Sequence, residues 1–328
     1  MKKIIFTISM IFLVSFLVTP AHSGLKKVGQ TGFQFLKVDA SPRAAGMGGA
    51  YMMVGYDASA MFYNPAGLGN MEKSFDFFAG QTQWIADVKY NYAGLAKNFD
   101  MYGTVGISFM NADYGSDIIG TRVAANEQGY IETGKVDIGS YVVGVAYSKK
   151  LSNKFTVGGQ IRYASQHLGS NLMPDGSTKK NEVGGLVYDF GTIFYPGWKS
   201  FRFGVSVRNF SKEFKYEQES FELPLTFTIG FAMNLMDFWQ TPDHSLIMAI
   251  DAIHPRDYSE RLNLGFEYWF KNMFALRTGY RYNYDEEGFT AGLGFHYNIS
   301  GIDLKVDYSY SSFGVFDAVN RFGIGFSF

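Results

Sequence analysis

The sequence predicts an all-β transmembrane fold: an antiparallel outer-membrane β-barrel of about fourteen strands with an N-terminal luminal hatch. Three observations predict it. From about Glu72 to Phe328, apolar and aromatic residues alternate with Gly, Ser, Thr and charge at period two, in runs nearer ten to fourteen residues than the five or six of a soluble strand. Runs of that length cross a bilayer at a tilt. Their connections are short and long by turns, and the stretch from Asp39 to Met71, rich in Ala, Gly and Met, breaks the alternation altogether.

Composition narrows the class. The 328 residues include 38 Gly, 22 Tyr and 32 Phe against 8 Pro, the profile of many twisted strands. A net charge of -1 and a pI near 6.5 exclude nucleic acid as a partner. Mean hydropathy of -0.06 is too low for a helical membrane protein but suits a barrel, where every second residue faces the outer-membrane lipid. With no Cys there is neither a disulfide nor a lipid-modified cysteine.

Taken in order, Lys2 and Lys3, the apolar run Ile4 to Val18 and the small-x-small site Ala21-His22-Ser23 read as a secretory signal over 1–23. Residues 24–72 form the expected hatch. Within it Gly24 to Leu36 reads as extended, and Asp57 is placed to cap a short helix from Ala58 to Phe62. Asn64-Pro65 reads as its stop, turning the chain out of the lumen, because Pro65 cannot donate and biases Asn64 away from helix. Residues 73–328 form the barrel, with strands near 73–84, 88–98, 101–111, 134–148, 154–167, 183–195, 199–210, 221–234, 243–253, 260–270, 272–283, 288–299, 301–312 and 318–328.

Every second connection is a tight turn, as at Asn98-Phe99-Asp100, Leu151-Ser152-Asn153 and Ser300-Gly301. Those between, notably 112–133, 167–182, 211–220 and 284–287, are mostly longer and polar. Short turns on one side and long loops on the other is the asymmetry of a Gram-negative outer-membrane barrel, with the turns periplasmic. Leu235 to Pro242 is longer than its neighbours on the short side. Phe322, Ile324, Phe326 and Phe328 share one face of the last strand, and a terminal Phe is the usual signal read by the barrel-assembly machinery.

The hatch carries a more specific pattern. Phe35-Leu36-Lys37-Val38, then Arg43-Ala-Ala-Gly-Met-Gly-Gly-Ala-Tyr51, then Asp57-Ala-Ser-Ala-Met-Phe-Tyr-Asn-Pro-Ala-Gly-Leu68 resembles the N-terminal signature of the PorV/PorQ family within the FadL-like superfamily. Arg43, Met47, Gly48, Gly49, Asp57, Asn64, Pro65 and Gly67 carry it, over roughly Phe35 to Leu68. The resemblance implies a fourteen-stranded barrel with a luminal hatch and two candidate roles. One belongs to type IX protein secretion, binding or shuttling secreted proteins by their C-terminal domains. The alternative is FadL-like passage of hydrophobic small molecules such as long-chain fatty acids.

Strand parity points Arg162, Arg202, Arg208, Glu267, Arg277, Arg281, Asp303, Lys305, Asp307 and Arg321 inward. They read either as pairing with one another and with Arg43 to hold the hatch, or, for Arg162, Arg202, Arg208, Arg277 and Arg281, as contacts for an anionic head group. Gly46, Gly48, Gly49 and Gly67 are candidate hinges. Met47, Met52, Met53, Met61 and Phe62 read as hatch packing or as the lining of an apolar pocket. Gly46-x-Gly48-Gly49 lacks the spacing and strand–helix setting of a dinucleotide site. Asp285-Glu286-Glu287 reads as a solvated hairpin tip rather than a calcium site. His167, His244, His254 and His296 lack serine and acid partners, so no catalysis, metal or cofactor is expected. Outer loops rich in Tyr, Asn and Gly suit protein partners.

Overall fold

A computed structural model of the chain describes residues 29–172, 177–239 and 241–328; the signal-peptide reading over 1–23 lies outside them. Eighteen strands follow one another: β1 (Phe75–Gln83), β2 (Lys89–Asn98), β3 (Thr104–Asp113), β4 (Ile119–Val123), β5 (Tyr130–Lys135), β6 (Ile138–Ser152), β7 (Phe155–Leu172), β8 (Thr178–Phe194) and β9 (Arg202–Phe210), then β10 (Phe214–Lys215), β11 (Ser220–Phe221), β12 (Thr226–Asn234), β13 (His244–Pro255), β14 (Arg261–Phe270), β15 (Phe274–Tyr282), β16 (Glu287–Ile299), β17 (Ile302–Phe313) and β18 (Ala318–Ser327). Fourteen of them close an antiparallel barrel in the order β1-β2-β3-β6-β7-β8-β9-β12-β13-β14-β15-β16-β17-β18 and back to β1. Closure leaves no unpaired edge, the condition for a sheet in lipid.

The expected strands and the barrel strands correspond one to one. The four additional strands form two small hairpins, β4–β5 within the long connection 112–133 and β10–β11 within 211–220. The connection read at 167–182 is shorter than expected, because β7 and β8 stay paired out to Leu172 and Thr178.

Burial alternates along the strands. Val105, Ile107 and Phe109 on β3, Val143 and Val145 on β6, and Phe322, Ile324 and Phe326 on β18 are exposed on the outer face. A continuous apolar band of this kind belongs in lipid rather than water. Aromatic rings crowd both rims, with Tyr102, Trp198, Phe238 and Trp239 at the short-turn end and Tyr141, Tyr163, Phe210 and Tyr282 at the long-loop end. The connection Leu235–Phe238 is a 3-10 turn capped by the Asn234 side chain.

The core is not between sheets but inside the barrel, where the segment preceding β1 is packed. Asp57 caps a 3-10 helix over Ala58–Phe62 by accepting from Ser59 N. Two expectations for this segment need correcting. Gln34–Lys37 is a 3-10 turn following a left-handed Phe33 (φ 53), not an extended run, because it is tied to the barrel rim as described below. Asn64-Pro65 does not turn the chain out of the lumen. Pro65 instead occupies the first position of a second 3-10 helix, Pro65–Asn70, capped by Asn64 through Ala66 N, where its missing N–H costs nothing. The chain leaves the lumen beyond it, after Met71.

Candidate functional site: a filled lumen and the cavity above it

An irregular segment sealed inside a barrel has backbone groups that no sheet satisfies, and each unpaired one would be costly. Inward side chains of the barrel supply the partners. Asp251 on β13 accepts from Tyr51 N and Met52 N, both at 3.0 Å, and Arg202 on β9 donates to Met53 O at 2.6 Å. Arg208 donates to Phe62 O, and Ser206 to Tyr63 O at 3.0 Å. Ser148 on β6 donates to Ala66 O at 3.1 Å, Thr290 on β16 to Gly46 O at 3.1 Å, and Asp76 on β1 accepts from Ala58 N at 2.8 Å. The polar inner face foreseen from strand parity is therefore a template complementary to this segment.

Charge concentrates where the short α1 helix (Pro42–Gly46) meets β14, β15 and β17. Arg43 reaches Glu267 with Nε and Nη2, both at 2.7 Å, and Arg277 Nε meets the same carboxylate at 2.7 Å. Arg277 extends the chain to Asp307 at 2.6 Å. On the other side of Arg43, Asp57 lies 3.8 Å away, and Lys305 links Asp57 (3.8 Å) to Asp76 (2.7 Å). The side chains of Glu267 and Arg277 are wholly buried. A buried carboxylate is tolerated only when paired and hydrogen-bonded, and Glu267 accepts three N–H donors.

Of the five arginines singled out for anions, Arg202 and Arg277 are engaged by the protein in this way. Arg162 pairs with Asp189 at 2.7 Å and Asn209 at 2.6 Å across an irregularity in the β8–β9 pairing. Arg281 holds Asp39 and Glu287. Arg208 makes no ion pair among the described residues. In the tip at Asp285-Glu286-Glu287, Glu287 turns inward to Arg281 and Glu286 accepts from Val315 N at 3.3 Å.

Sequence reading missed a feature of the inner wall. Wherever the segment presses on a strand, that strand usually offers glycine: Gly94 against Ala58, Gly106 against Met61, Gly158 against Pro65, Gly230 against Met52, Gly265 against Met47 and Gly292 against Gly46. A methyl added at Gly265 would sit 2.8 Å from Met47 Cβ, closer than side chains pack. With Gly80, Gly191, Gly204, Gly279 and Gly323 and the Ser148, Asp251 and Lys305 contacts, this girdle brings the segment against every strand of the barrel. Of the candidate hinges, Gly48 (φ 66) and Gly49 (φ 80) do adopt the left-handed backbone, whereas Gly46 and Gly67 are close-approach points. Met47, Met53 and Met61 are fully buried in packing contacts.

At the long-loop end the segment becomes a strap. Asp257, in the β13–β14 connection, accepts from Thr31 Oγ1 at 2.6 Å, Gln34 Nε2 at 3.1 Å and Lys37 Nζ at 3.0 Å. Phe33 packs with Phe35, Phe214 and Phe221. Beneath the strap lies a cavity of about 490 Å³ walled by Lys37, Asp39, Tyr90, Tyr114, Arg208, Tyr258, Arg261, Asn263, Arg281 and Tyr284.

Comparisons with known proteins agree with this architecture. The fold is similar to the monoaromatic hydrocarbon channel CymD (TM-score 0.54, 13% identity, covering 89% of this chain and 98% of that one). It is also similar to the Ralstonia pickettii toluene transporter TbuX (0.52, 13%, 91% and 98%) and the Pseudomonas putida toluene transporter TodX (0.53, 11%, 87% and 96%). At these identities the likeness is one of fold. No curated protein matches the sequence. The model of the type IX secretion system membrane protein PorP/SprF matches residues 53–321. That is a type IX secretion family, as the N-terminal signature led one to expect, although it is PorP/SprF that is named rather than PorV/PorQ. Barrel and family together place the chain in a Gram-negative outer membrane. Since the matched region spans most of the sequence, the protein belongs to the PorP/SprF family of type IX secretion system membrane proteins.

Proposed function

We propose that this protein is a non-catalytic component of type IX secretion that binds secreted proteins at the long-loop face of the outer membrane, with residues 24–72 acting as a fixed hatch. The observation that carries this reading is the filled lumen: the hatch touches every strand and is fastened by the Arg43–Glu267–Arg277–Asp307 chain. A barrel so filled offers its loops, not its bore, to a folded partner. The β4–β5 and β10–β11 hairpins and the extended β7–β8 pair build that face. The PorV/PorQ-like signature supports the same assignment, with the C-terminal domains of secreted proteins as the bound element.

A second reading, passage of hydrophobic small molecules, is favoured by the likeness in fold to the hydrocarbon channels. It requires the hatch to move. The chain has no cysteine, and a Cβ at Gly94 would lie 3.4 Å from that of Ala58, close to the spacing of a disulfide. An A58C/G94C variant, oxidised, would lock the hatch to the wall, and its reduced form is the control. Secretion to the cell surface and binding of purified C-terminal domains should be the same in both states. Hydrocarbon uptake into proteoliposomes that stops on oxidation, with no binding of secreted domains, would replace the secretion reading with the transport one.

A further inference from the structure

The cavity beneath the strap has unspent polar groups. Four cations on its wall, Lys37, Arg208, Arg261 and Arg281, face two carboxylates, Asp39 and Glu287. Behind the wall Asp257 and Arg321 add one charge of each sign, so an excess of two positive charges remains. Arg281 is committed to Asp39 and Glu287, and Lys37 to Asp257. Arg208 and Arg261 have no carboxylate partner among the described residues.

Arg261 lies over two rings, 4.3 Å from the centroid of Tyr258 and 4.1 Å from that of Tyr284. Contacts of this kind hold a guanidinium without neutralising it. Three buried polar atoms of residues lining the cavity have no hydrogen-bond partner among the described residues: Arg261 Nε, Arg281 Nε and Asn263 Oδ1. Asn263 and Arg281 are only 4% and 8% exposed. Buried polar groups are normally satisfied, so a wall with two guanidiniums that have no carboxylate partner and an open amide oxygen is shaped for a ligand that supplies the missing charge and a donor. Three aromatic residues, Trp84, Tyr90 and Tyr114, also line the cavity. A volume of about 490 Å³ is in the range of small-molecule sites.

We propose that this cavity binds a small hydroxylated, ring-bearing carboxylate. Its carboxylate is taken by Arg261 and Arg208, the two guanidiniums without a carboxylate partner, its ring lies against the tyrosines, and a hydroxyl donates to Asn263 Oδ1. Neither the secretion nor the transport reading is needed for this site. Two sources share the chemistry, an aromatic hydroxy acid and an acidic sugar.

Isothermal titration of the purified full-length barrel in detergent with 4-hydroxybenzoate and with glucuronate separates them, with phenol and methyl glucoside as neutral counterparts. At least one anion should bind, its neutral counterpart should not, and affinity should fall as salt is raised. Arg261→Gln should weaken binding about tenfold or more, and Arg208→Gln serves as a second variant. The heat-shift of the folded barrel on gels checks that each is folded. No heat with either anion up to about 10 mM, equal binding of the neutral compounds, or undiminished binding by both folded variants would overturn the proposal.

Discussion

Arg43→Ala should unfasten the hatch while leaving the barrel closed. Arg43 supplies two of the three donors on the buried Glu267 carboxylate, and the third, from Arg277, survives. Removing one partner of a buried ion pair costs about 3–5 kcal/mol, and the surviving Arg277 contact puts the cost at the lower end, about 3 kcal/mol. If local opening of the hatch exposes its backbone, that figure raises the open population roughly 150-fold. The cysteine-free chain makes this measurable, since Ala45, fully buried beside Arg43, can be replaced by Cys and its labelling by a maleimide followed in detergent. The A45C protein should label slowly and the R43A/A45C protein about two orders of magnitude faster. Adding Glu267→Gln should recover part of the difference, because Glu267 is then no longer a buried carboxylate short of a cation. Equal labelling rates within about threefold, with the barrel folded in both, would refute the view that this network holds the hatch.

Three further outcomes are expected. Gly265→Ala should also speed labelling at position 45, since its methyl would press on Met47, and thermal unfolding should show the barrel itself little changed; an unaltered rate would mean the hatch shifts freely. The strap should respond to acid. Burial alone would raise the Asp257 carboxyl, but hydrogen bonds from Thr31 and Gln34 and the Lys37 charge outweigh it and hold it below the usual range. A depressed folded value stabilises above the unfolded one, about 3.9, and the benefit is lost as pH falls below it. Hydrogen exchange within residues 31–38 should therefore be steady from neutral pH to about pH 5 and accelerate, after correction for intrinsic rates, below about 4; Asp257→Asn should abolish that step. Finally, Ile107→Arg on the outward face of β3 should cost about 2–4 kcal/mol in folding into lipid vesicles, whereas normal folding would argue that this face meets protein instead.

Sequence reading reached the barrel because its signal is local. Period-two alternation and turn residues located the fourteen barrel strands to within about five residues at their ends, and the same parity placed Arg277, Arg281 and Lys305 in the lumen. The cap at Asp57 was equally local, needing only Ser59 two residues on. What escaped was set by distant partners. Arg43 and Glu267 are separated by 224 positions, and nothing along the chain marks them as a pair. Gly94, Gly106, Gly265 and Gly292 look like any other small residue of a polar face until the stagger between strands brings them to the height of the hatch. The turn at Gln34–Lys37 follows from Asp257, more than 200 residues away. The β4–β5 hairpin lies past the barrel rim, where neither face is held to lipid and the alternation weakens.

The placement of the segment before β1 bears on how the molecule is built. It runs from the Asp257 strap at one mouth to Met71 at the other, and β1 then hydrogen-bonds to β18 to close the wall around it. Chain order and spatial enclosure thus conflict: the first part of the described chain must end up inside a cylinder that is closed by β18, the strand furthest from it in sequence. Threading a packed segment up a finished cylinder would mean stripping each girdle contact in turn. Gathering the strands around it and zipping β1 to β18 last would avoid that barrier, and would make the segment a mandrel on which the barrel is wound.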